Sequence, residues 1–308
     1  MLTKTKVLYL FQRLTKKLTF FKKGPSRGVI GITLDSKQLI LCSLLPNSSP
    51  TQLTLFSRLN LESENMNTNI CMIKNSNPKN EKAYVIALPD NEFKISYVPL
   101  PRPLTKNEMD KQLSSLIKEH HLDSRSLFDY QTIKIHQKEH LLFCSIKKQI
   151  IEEHLEKLEK LGIHVIAIEP LSHSIERFFY YFYPQWKNNY IFYIHLSETE
   201  ITSRLIKEHH TECYQTELIH HYPKKSEGIL YHFKHAQQYC YPDHITACFA
   251  TDSLKTDLSE LSSHFHSIKI PFLTEESILE NIPTPKEKIN IGFCHAIIST
   301  LGLSLFPL

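Results

Sequence analysis

Apolar and polar positions in the first third of the chain follow the spacing of β-strands. Apolar runs cover residues 28–34, 37–45 and 51–58 with short polar turns between them, and a fourth run, AYVIALPD, follows a long asparagine-rich segment. Short apolar runs bounded by turn residues are typical of buried strands. The pattern therefore predicts four strands before residue 90.

The next stretch predicts a strand, KISYVPL, and then a helix with a defined beginning. Thr105 and Glu108 have the spacing of a capping box, in which each side chain binds the backbone N–H of the other residue. Apolar residues recur along this helix at helical spacing, so one face of the helix should be buried. These residues are Met109, Leu113, Leu116 and Ile117.

Two strands, DYQTIKIHQ and HLLFCSI, follow this helix. Ser145 is then a candidate N-cap for a second helix, which Gly162 would end. The run IHVIAI predicts one more strand. The resulting order β-α-β-β-α-β is that of a small ferredoxin-like unit.

The second half of the chain repeats the style of the first half. VIGITLDSKQLILCSLL and IFYIHLSETEITSRLI each contain an apolar strand, a polar turn and an apolar return strand. EPLSHSIERFFYYF predicts a helix between them, and helices near 226–239, 253–265 and 289–300 alternate with the strands HITACFA and IKIPF. Weak duplication of this kind predicts two structurally related halves, and the alternation predicts an α/β fold.

The first 24 residues predict a basic amphipathic helix. Residues 1–34 contain eight Lys or Arg and no acid, while Val7, Phe11, Leu14, Leu18 and Phe21 share one helical face. Such a helix can lie on an anionic membrane surface. The candidate membrane contacts are Phe11, Lys16, Lys17, Lys22 and Lys23. The alternative is a helix packed on the protein body with its lysines in water.

The composition excludes several classes of protein. With 308 residues, 41% hydrophobic and 22% charged, the chain is long enough for two domains and is typical of a globular protein. A net charge of +4 without a recognised nucleic-acid-binding module gives no reason to expect a nucleic acid partner. Seven cysteines without a CxxC pair fit a reducing compartment, and no apolar run reaches the ~20 residues that cross a bilayer. We therefore expect a cytoplasmic protein.

Few residues suggest catalysis or metal binding. The chain contains no Walker loop and no HExxH motif. His209, His210, Cys213, His220 and His221 are ligand types suited to zinc, but paired histidines on exposed strands are more often solvated, so we expect no metal. Only seven glycines occur, which argues against tight phosphate binding because phosphate cradles need glycine.

Four passages resemble the PilM family of type IV pilus assembly proteins, whose actin-like fold is related to that of the cell-division protein FtsA. GITLDSKQLIL is similar to the family's Gly-Ile-Asp-Ile-Gly-Ser hairpin, and VPLPRPLTKNEMDKQL resembles its strand, proline and capped helix. The family's strand-helix-strand entry into its second half is similar to LLFCSIKKQIIEEHLEKLEKLGIHVIAIEPLSHSIERFF. Its second phosphate hairpin resembles YIHLSETEITSRLI. The resemblance covers about residues 28–303. The cytoplasmic part of the secretion protein GspL shares this fold, but that family continues into a membrane span.

The resemblance implies an α/β, actin-like two-lobed fold with an inserted ferredoxin-like subdomain. Its expected parts are the N-terminal arm (1–24), lobe one (25–93), the inserted subdomain (94–168), a connecting helix (169–186) and lobe two (187–308). It further implies a cytoplasmic adaptor at the inner face of the inner membrane, which binds the cytoplasmic N-terminal tail of a PilN-like protein.

We expect this tail to bind where the inserted subdomain meets lobe one, because peptide recognition needs an apolar groove or a sheet edge. The candidate contacts are Tyr97, Leu100, Leu116 and Ile117. The alternative interpretation is that these four side chains belong to the core.

The nucleotide-binding positions that the resemblance implies depart from the family pattern. The carboxylate of the first hairpin falls at Thr33, and its glycine falls at Asp35, whose charge would repel phosphate. The second hairpin's Asp-Ile-Gly falls at 195–197, and the glycine pair beside the adenosine falls at 249–251. Because three positions depart together, we expect a degenerate site without catalytic residues, with ATP and Mg²⁺ as the alternative. The candidate site residues are Thr33, Asp35, Ser36, His195 and Ser197.

Two other functions stay open at this stage. A divergent actin-like ATPase or kinase-like enzyme would need a carboxylate in the cleft, and Asp35 and Glu169 are the candidates to supply it. A membrane-surface protein unrelated to pili would depend on the N-terminal arm instead.

Overall fold

The computed structural model describes residues 28–34, 38–45, 52–60, 71, 73, 75, 82–135, 138–186, 188–197, 199–207, 210–240, 245–252, 259–267, 270–273 and 294–305. The N-terminal arm lies outside these ranges with its candidate membrane contacts, and so do Asp35 and Ser36. Their predicted roles stay predictions. None of the helices in the described ranges is long and apolar enough to cross a membrane.

The elements alternate along the chain as the sequence predicted. The strands are β1 (Val29–Leu34), β2 (Gln38–Leu45), β3 (Gln52–Asn60), β4 (Ala83–Leu88), β5 (Phe93–Pro99), β6 (Ser126–Ile135), β7 (Lys138–Lys147), β8 (Val165–Pro170), β9 (Tyr190–Leu196), β10 (Glu200–Lys207), β11 (His210–Leu218), β12 (Ile245–Asp252) and β13 (Phe272–Leu273). The helices described are α1 (Lys106–Glu119), α2 (Lys148–Lys160), α3 (Leu171–Phe182), α4 (Lys225–Ala236), α5 (Ser259–Ser267) and α6 (Cys294–Ser304). Short 3-10 turns cover Asp90–Glu92, Pro184–Trp186 and Ile219–His221.

Two five-stranded sheets have the same topology. The first has the order β3-β2-β1-β4-β8, and the second has the order β11-β10-β9-β12-β13. In each sheet the first three strands along the chain form an antiparallel meander. The fourth strand pairs in parallel with the first strand, and the fifth strand pairs in parallel with the fourth. The predicted duplication into two related halves is therefore confirmed.

The inserted unit has a three-stranded sheet of its own, with the order β5-β7-β6. Its element order β-α-β-β-α-β is confirmed, but the last strand, β8, pairs with β4 in the first five-stranded sheet, where Ile86 lies opposite Ile168. The predicted boundary at residue 168 therefore includes one strand of lobe one. The apolar run IHVIAI indicated a buried strand, but such a run does not identify the pairing partner.

The two predicted helix caps differ in outcome. The capping box of α1 is present, since the backbone N–H of Glu108 donates to Thr105 Oγ1 and the N–H of Thr105 donates to Glu108 Oε2 at 2.9 Å. The predicted Ser145 cap is wrong: β7 continues to Lys147, and Lys147 occupies the N-cap position of α2 without a side-chain cap. Ser145 instead lies in the sheet opposite Lys94 and Phe128, because pairing on both sides favours continuation of the strand.

The core between the two large sheets is formed around α3 and α6. Apolar side chains of β2, β9, β10 and β12 pack with these helices in one buried cluster. Phe179 of α3 contacts Phe249 of β12 with ring centroids 4.4 Å apart, and Phe249 also packs against Trp186. The aromatic side chains of α3 are therefore core packing, and they join the two lobes.

Two of the seven glycines permit a close approach of α6. A Cβ on Gly302 would lie 1.8 Å from the carbonyl oxygen of Ser174, and one on Gly31 would lie 2.2 Å from that of Thr300. No side chain fits at these distances, so α6 contacts α3 and β1 backbone to backbone.

Candidate functional site

The first hairpin position, Thr33 at the end of β1, contacts the C-terminal helix α6. Its Oγ1 lies 2.7 Å from Thr300 Oγ1 and 3.3 Å from the Ala296 carbonyl oxygen. Thr300 and Ser299 are themselves fully buried, and Ser299 Oγ lies 3.1 Å from Ser174 Oγ on α3. Thr33 is therefore part of a hydrogen-bonded group of hydroxyls between the lobes.

The second hairpin position, His195 near the end of β9, also contacts α6. Its ring stacks on that of His295 with centroids 3.9 Å apart and an interplanar angle of 10°. His195 Nδ1 lies 2.9 Å from Thr251 Oγ1, and His295 Nδ1 lies 2.5 Å from the hydroxyl of Tyr193. Burial lowers the pKa of His295 well below its ordinary value, and the neighbouring His195 lowers it further. His295 is therefore neutral at pH 7.

Ser197 has a local structural role. Its Oγ accepts the backbone N–H of Glu200 at 2.9 Å and so closes the turn between β9 and β10. The hairpin therefore has the strand-turn-strand form that the sequence predicted, with the serine hydroxyl engaged in the turn.

The position expected beside the adenosine is part of the core. Residues 249–251 lie in β12, and Phe249, Ala250 and Thr251 are fully buried. Thr251 Oγ1 bonds with His195 and with the hydroxyl of Tyr193 at 3.0 Å.

Glu169, one of the two carboxylates that an enzymatic alternative would need, already has a partner. It is buried at the end of β8 and forms an ion pair with Arg177 of α3, whose Nε donates to the Gly302 carbonyl oxygen at 3.0 Å. Burial raises the pKa of Glu169, and the charge of Arg177 opposes this rise. The pair links β8, α3 and α6, which is a structural arrangement.

A pair that sequence reasoning missed, Asp90 and Arg204, joins the lobes from another side. Asp90 Oδ2 lies 2.5 Å from Arg204 Nη2, and Asp90 Oδ1 accepts the N–H of Ser172 in the first turn of α3 at 3.0 Å. The Arg204 side chain is 1% exposed and lies over the ring of Tyr214, 4.9 Å from its centroid. The available signal was a single cation inside the apolar run ITSRLI.

The ionisation of Asp90 depends on that arginine. Burial raises the pKa of Asp90, but the charge of Arg204 and hydrogen bonds from Arg204 and Ser172 outweigh it, so the pKa lies below its ordinary value. Nearby, Glu176 of α3 accepts a hydrogen bond from Thr211 Oγ1 at 2.6 Å. Burial raises the pKa of Glu176 to about 8. Two buried carboxylates thus lie in opposite protonation states near pH 7.

The predicted partner-binding residues are all buried or half-buried. Leu100 and Leu116 are buried in the core of the inserted unit, with Ile117 packed against the same cluster, which agrees with the alternative interpretation. Tyr97 is half-buried on β5. Burial raises its pKa, and the charges of Glu176 and Asp90 raise it further.

A groove of about 1140 Å³ lies where the inserted unit meets lobe one. It is formed by the 3-10 turn after β4, the beginning of β5, the connection from α1 to β6, the end of β7 and the first turn of α2. Lobe two contributes Glu200. In the part of the chain that the structure describes, no group of three His, Cys, Asp or Glu side chains is arranged to hold a metal ion.

The paired five-stranded sheets packed around α3 and α6, with a unit inserted after β4, define the two-lobed actin-like fold. Comparison with known proteins agrees with this class: a structure described as a PilM-PilN type IV pilus biogenesis complex matches with a TM-score of 0.61, at 9% identity, over 91% of this chain and 98% of that chain. At this identity the similarity is one of fold.

Two further solved structures match less well. The cytoplasmic domain of EpsL, an inner membrane component of the type II secretion system of Vibrio cholerae, matches with a TM-score of 0.44 at 10% identity over 73% of this chain and 82% of that chain. A Bacteroides thetaiotaomicron protein with an actin-like ATPase fold matches with a TM-score of 0.43 at 12% identity over 84% and 96%. No family model and no curated protein matches the sequence.

Proposed function

We propose that this chain is a cytoplasmic adaptor of a type IV pilus assembly platform, which binds the cytoplasmic N-terminal tail of a PilN-like inner-membrane protein. The observation that carries the proposal is the correspondence of nearly the whole chain, inserted unit included, to the structure of a PilM-PilN complex. The four sequence passages that resemble the PilM family support the same conclusion independently of the structure.

The groove between the inserted unit and lobe one is the proposed docking site for the tail. At about 1140 Å³ it exceeds the range of about 300–1,000 Å³ that is usual for small-molecule pockets. Its polar and apolar lining suits an extended peptide, which presents backbone hydrogen-bonding groups and side chains together.

We further propose that the interlobe cleft does not use ATP. Binding of Mg²⁺-ATP in this fold requires a carboxylate for the metal and donors aimed at phosphate. At the two hairpin positions the chain instead has Thr33 and His195, and both already contact α6 or β12. Their hydrogen bonds support a structural role for the former nucleotide site.

Binding to the tail is tested by a pull-down with the cytoplasmic N-terminal segment of the PilN-like protein encoded nearest to this chain. We expect binding to the full chain and its loss in Asn91→Trp, because Asn91 is exposed in the groove and an indole ring there would obstruct the tail without adding charge. Asn107→Trp is the matched control, since Asn107 is exposed at the beginning of α1, whereas the groove lies at the end of α1. Equal binding by the two variants would contradict the groove as the docking site, and no binding by the full chain would contradict the adaptor proposal.

The N-terminal arm is proposed to rest on the anionic inner leaflet. This proposal depends on the one-sided charge of residues 1–34. In a flotation experiment with liposomes that contain anionic lipid, the full chain should float with the liposomes. A chain without residues 1–24 should not. Equal flotation of the two chains would contradict it.

A further inference from the structure

The first turn of α2 enters the groove without a side-chain cap. Lys147 is the N-cap residue and makes no cap hydrogen bond, while the N–H of Lys148 donates to the Arg125 carbonyl oxygen at 2.7 Å. The first N–H groups of a helix have no acceptor within the helix, so those of Gln149 and Ile150 need one from elsewhere. Both residues line the groove.

Two buried side chains that line the same groove also lack an acceptor. Ser145 is 2% exposed, and its Oγ has no hydrogen-bond partner among the described residues. His120 is 9% exposed, and its Nδ1 has none either, while its Nε2 lies 2.7 Å from Ser96 Oγ. When the Ser96 hydroxyl donates to Nε2, the neutral ring carries its proton on Nδ1. Ser145 and His120 are therefore buried donors without an acceptor in the wall of the groove.

Two cations stand beside these donors. Lys94 lies directly opposite Ser145 in the sheet, so their side chains share one face, and Lys94 Nζ donates to the His120 carbonyl oxygen at 2.9 Å. Lys147 is exposed at the end of β7. Neither ammonium group forms an ion pair with a carboxylate among the described residues.

The groove is lined by as many acids as cations, four of each, but none of these acids lies within 4 Å of the ammonium group of Lys94 or Lys147. Asp123 pairs with Arg125, and Glu152 pairs with Lys148. Glu92 lies 3.5 Å from His154, whose ring is charged only when it is protonated. The fourth, Glu200, is exposed on lobe two, where water screens its charge. The α2 end of the groove therefore combines a helix N-terminus, two cations and unmatched donors, and all of these favour an oxyanion.

We propose that this end of the groove binds the carboxylate of an acidic peptide side chain, held by the N-terminus of α2, Ser145, Lys94 and Lys147. The carboxylate site follows from the groove itself, whereas a partner's tail as the source of the peptide rests on the proposed function. The tail should therefore place an Asp or Glu at the beginning of α2.

The site is tested with two blocked peptides, tetraglutamate and tetraglutamine, titrated into the full chain at constant ionic strength. Amide chemical shifts of Gln149 and Ile150 report binding at the helix N-terminus. We expect tetraglutamate to bind about tenfold more tightly than tetraglutamine, because charge-assisted hydrogen bonds are about twice as strong as neutral ones. Equal affinities would overturn the proposal.

Two variants locate the site. Lys147→Gln should weaken tetraglutamate binding several-fold, whereas Lys157→Gln, which removes a charge from the exposed face near the other end of α2, should not. Ser145→Ala should weaken binding without lowering stability, because it removes a buried hydroxyl that has no partner. If all three variants bind alike, the proposal is wrong. Inorganic phosphate that shifts the same amides at lower concentration than tetraglutamate would also overturn the assignment to a carboxylate.

The tail itself separates the two proposals. If the tail binds but tolerates replacement of its acidic residues by amides, the tail is overturned as the source of the carboxylate and the adaptor function stands. If tetraglutamate binds at α2 but the tail does not bind, the adaptor function is wrong, and the tail is overturned as the source of the carboxylate.

Discussion

Buried hydroxyl groups have different surroundings in the interlobe cleft and in the groove of the inserted unit. In the cleft, Ser174 is fully buried and its hydroxyl donates to the Leu171 carbonyl oxygen at 2.7 Å, with Ser299 Oγ 3.1 Å away. In the groove, Ser145 is almost as deeply buried and has no partner among the described residues. Satisfied polar groups stabilise a fold, whereas unsatisfied ones in a cleft indicate a place for a ligand. The comparison therefore separates a hydrogen-bonded hydroxyl between the lobes from an unpartnered hydroxyl beside the groove, and the proposed carboxylate site uses the second.

The largest effect is expected at the buried ion pair that joins the lobes. Arg204→Met should destabilise the protein by about 3–5 kcal/mol, because it leaves the Asp90 carboxylate buried without its cation. Chemical denaturation measures the loss. The double variant with Asp90→Asn should recover part of it, since no unpaired charge stays buried and the amide oxygen can still accept the N–H of Ser172. A loss below about 1 kcal/mol in Arg204→Met would show that this side of the cleft is not structural.

The next effect concerns pH and the buried Glu176. Its folded pKa, about 8, is above its unfolded value, so the unfolded state loses this proton first as pH rises. The contribution of Glu176 to the free energy of unfolding is fully present below the unfolded pKa. It is lost as pH rises from about 4.5 to 8. The stability of the natural chain should therefore fall by about 2 kcal/mol more than that of Glu176→Gln between pH 5 and 7. Parallel pH profiles for the two proteins would contradict the buried, protonated carboxyl.

A matched pair of serines tests the comparison directly. Ser174→Ala should cost about 1–2 kcal/mol, because it leaves the buried Ser299 hydroxyl with one contact fewer. Ser145→Ala should cost nothing measurable or give a small gain, because it removes an unpartnered hydroxyl. Thermal or urea unfolding of both variants measures the difference. An equal loss in the two variants would remove the distinction between cleft and groove.

The smallest expected effect is the response to nucleotide. Calorimetry with Mg-ATP should detect no binding up to about 1 mM, which corresponds to a binding free energy weaker than about 4 kcal/mol. Thr33 and His195 support this expectation, because neither offers a carboxylate to the metal. Micromolar binding that Asp35→Ala abolishes, and that the control Asp110→Ala on exposed α1 leaves intact, would favour the enzyme.

Local patterns predicted the elements of the fold well. Thr105 and Glu108 stand three residues apart, and that spacing alone indicates the capping box that the structure contains. The repeated strand-turn-strand pattern predicted two related sheets for the same reason, since turns and alternation are properties of neighbouring residues.

Contacts between distant segments could not be predicted in this way. Asp90 and Arg204 are separated by 114 residues, and the local sequence around either residue does not indicate that the two form a pair. The stacking of His195 on His295 depends on where α6 crosses the sheets, which follows from packing of the whole core. Ser145 was assigned to a helix cap because its local sequence allows one, but pairing with two neighbouring strands determined its conformation.

The backbone contact between Gly302 and Ser174 has a consequence for motion. Large rotation of one lobe about the other would require the two crossing helices to slide or separate, and helices that touch without intervening side chains have little room to slide. Hinge closure that moves these two helices apart would therefore have to break this backbone contact. A bound peptide would act through the surface that it completes, and Gly302→Ala would be the variant with which to force the helices apart.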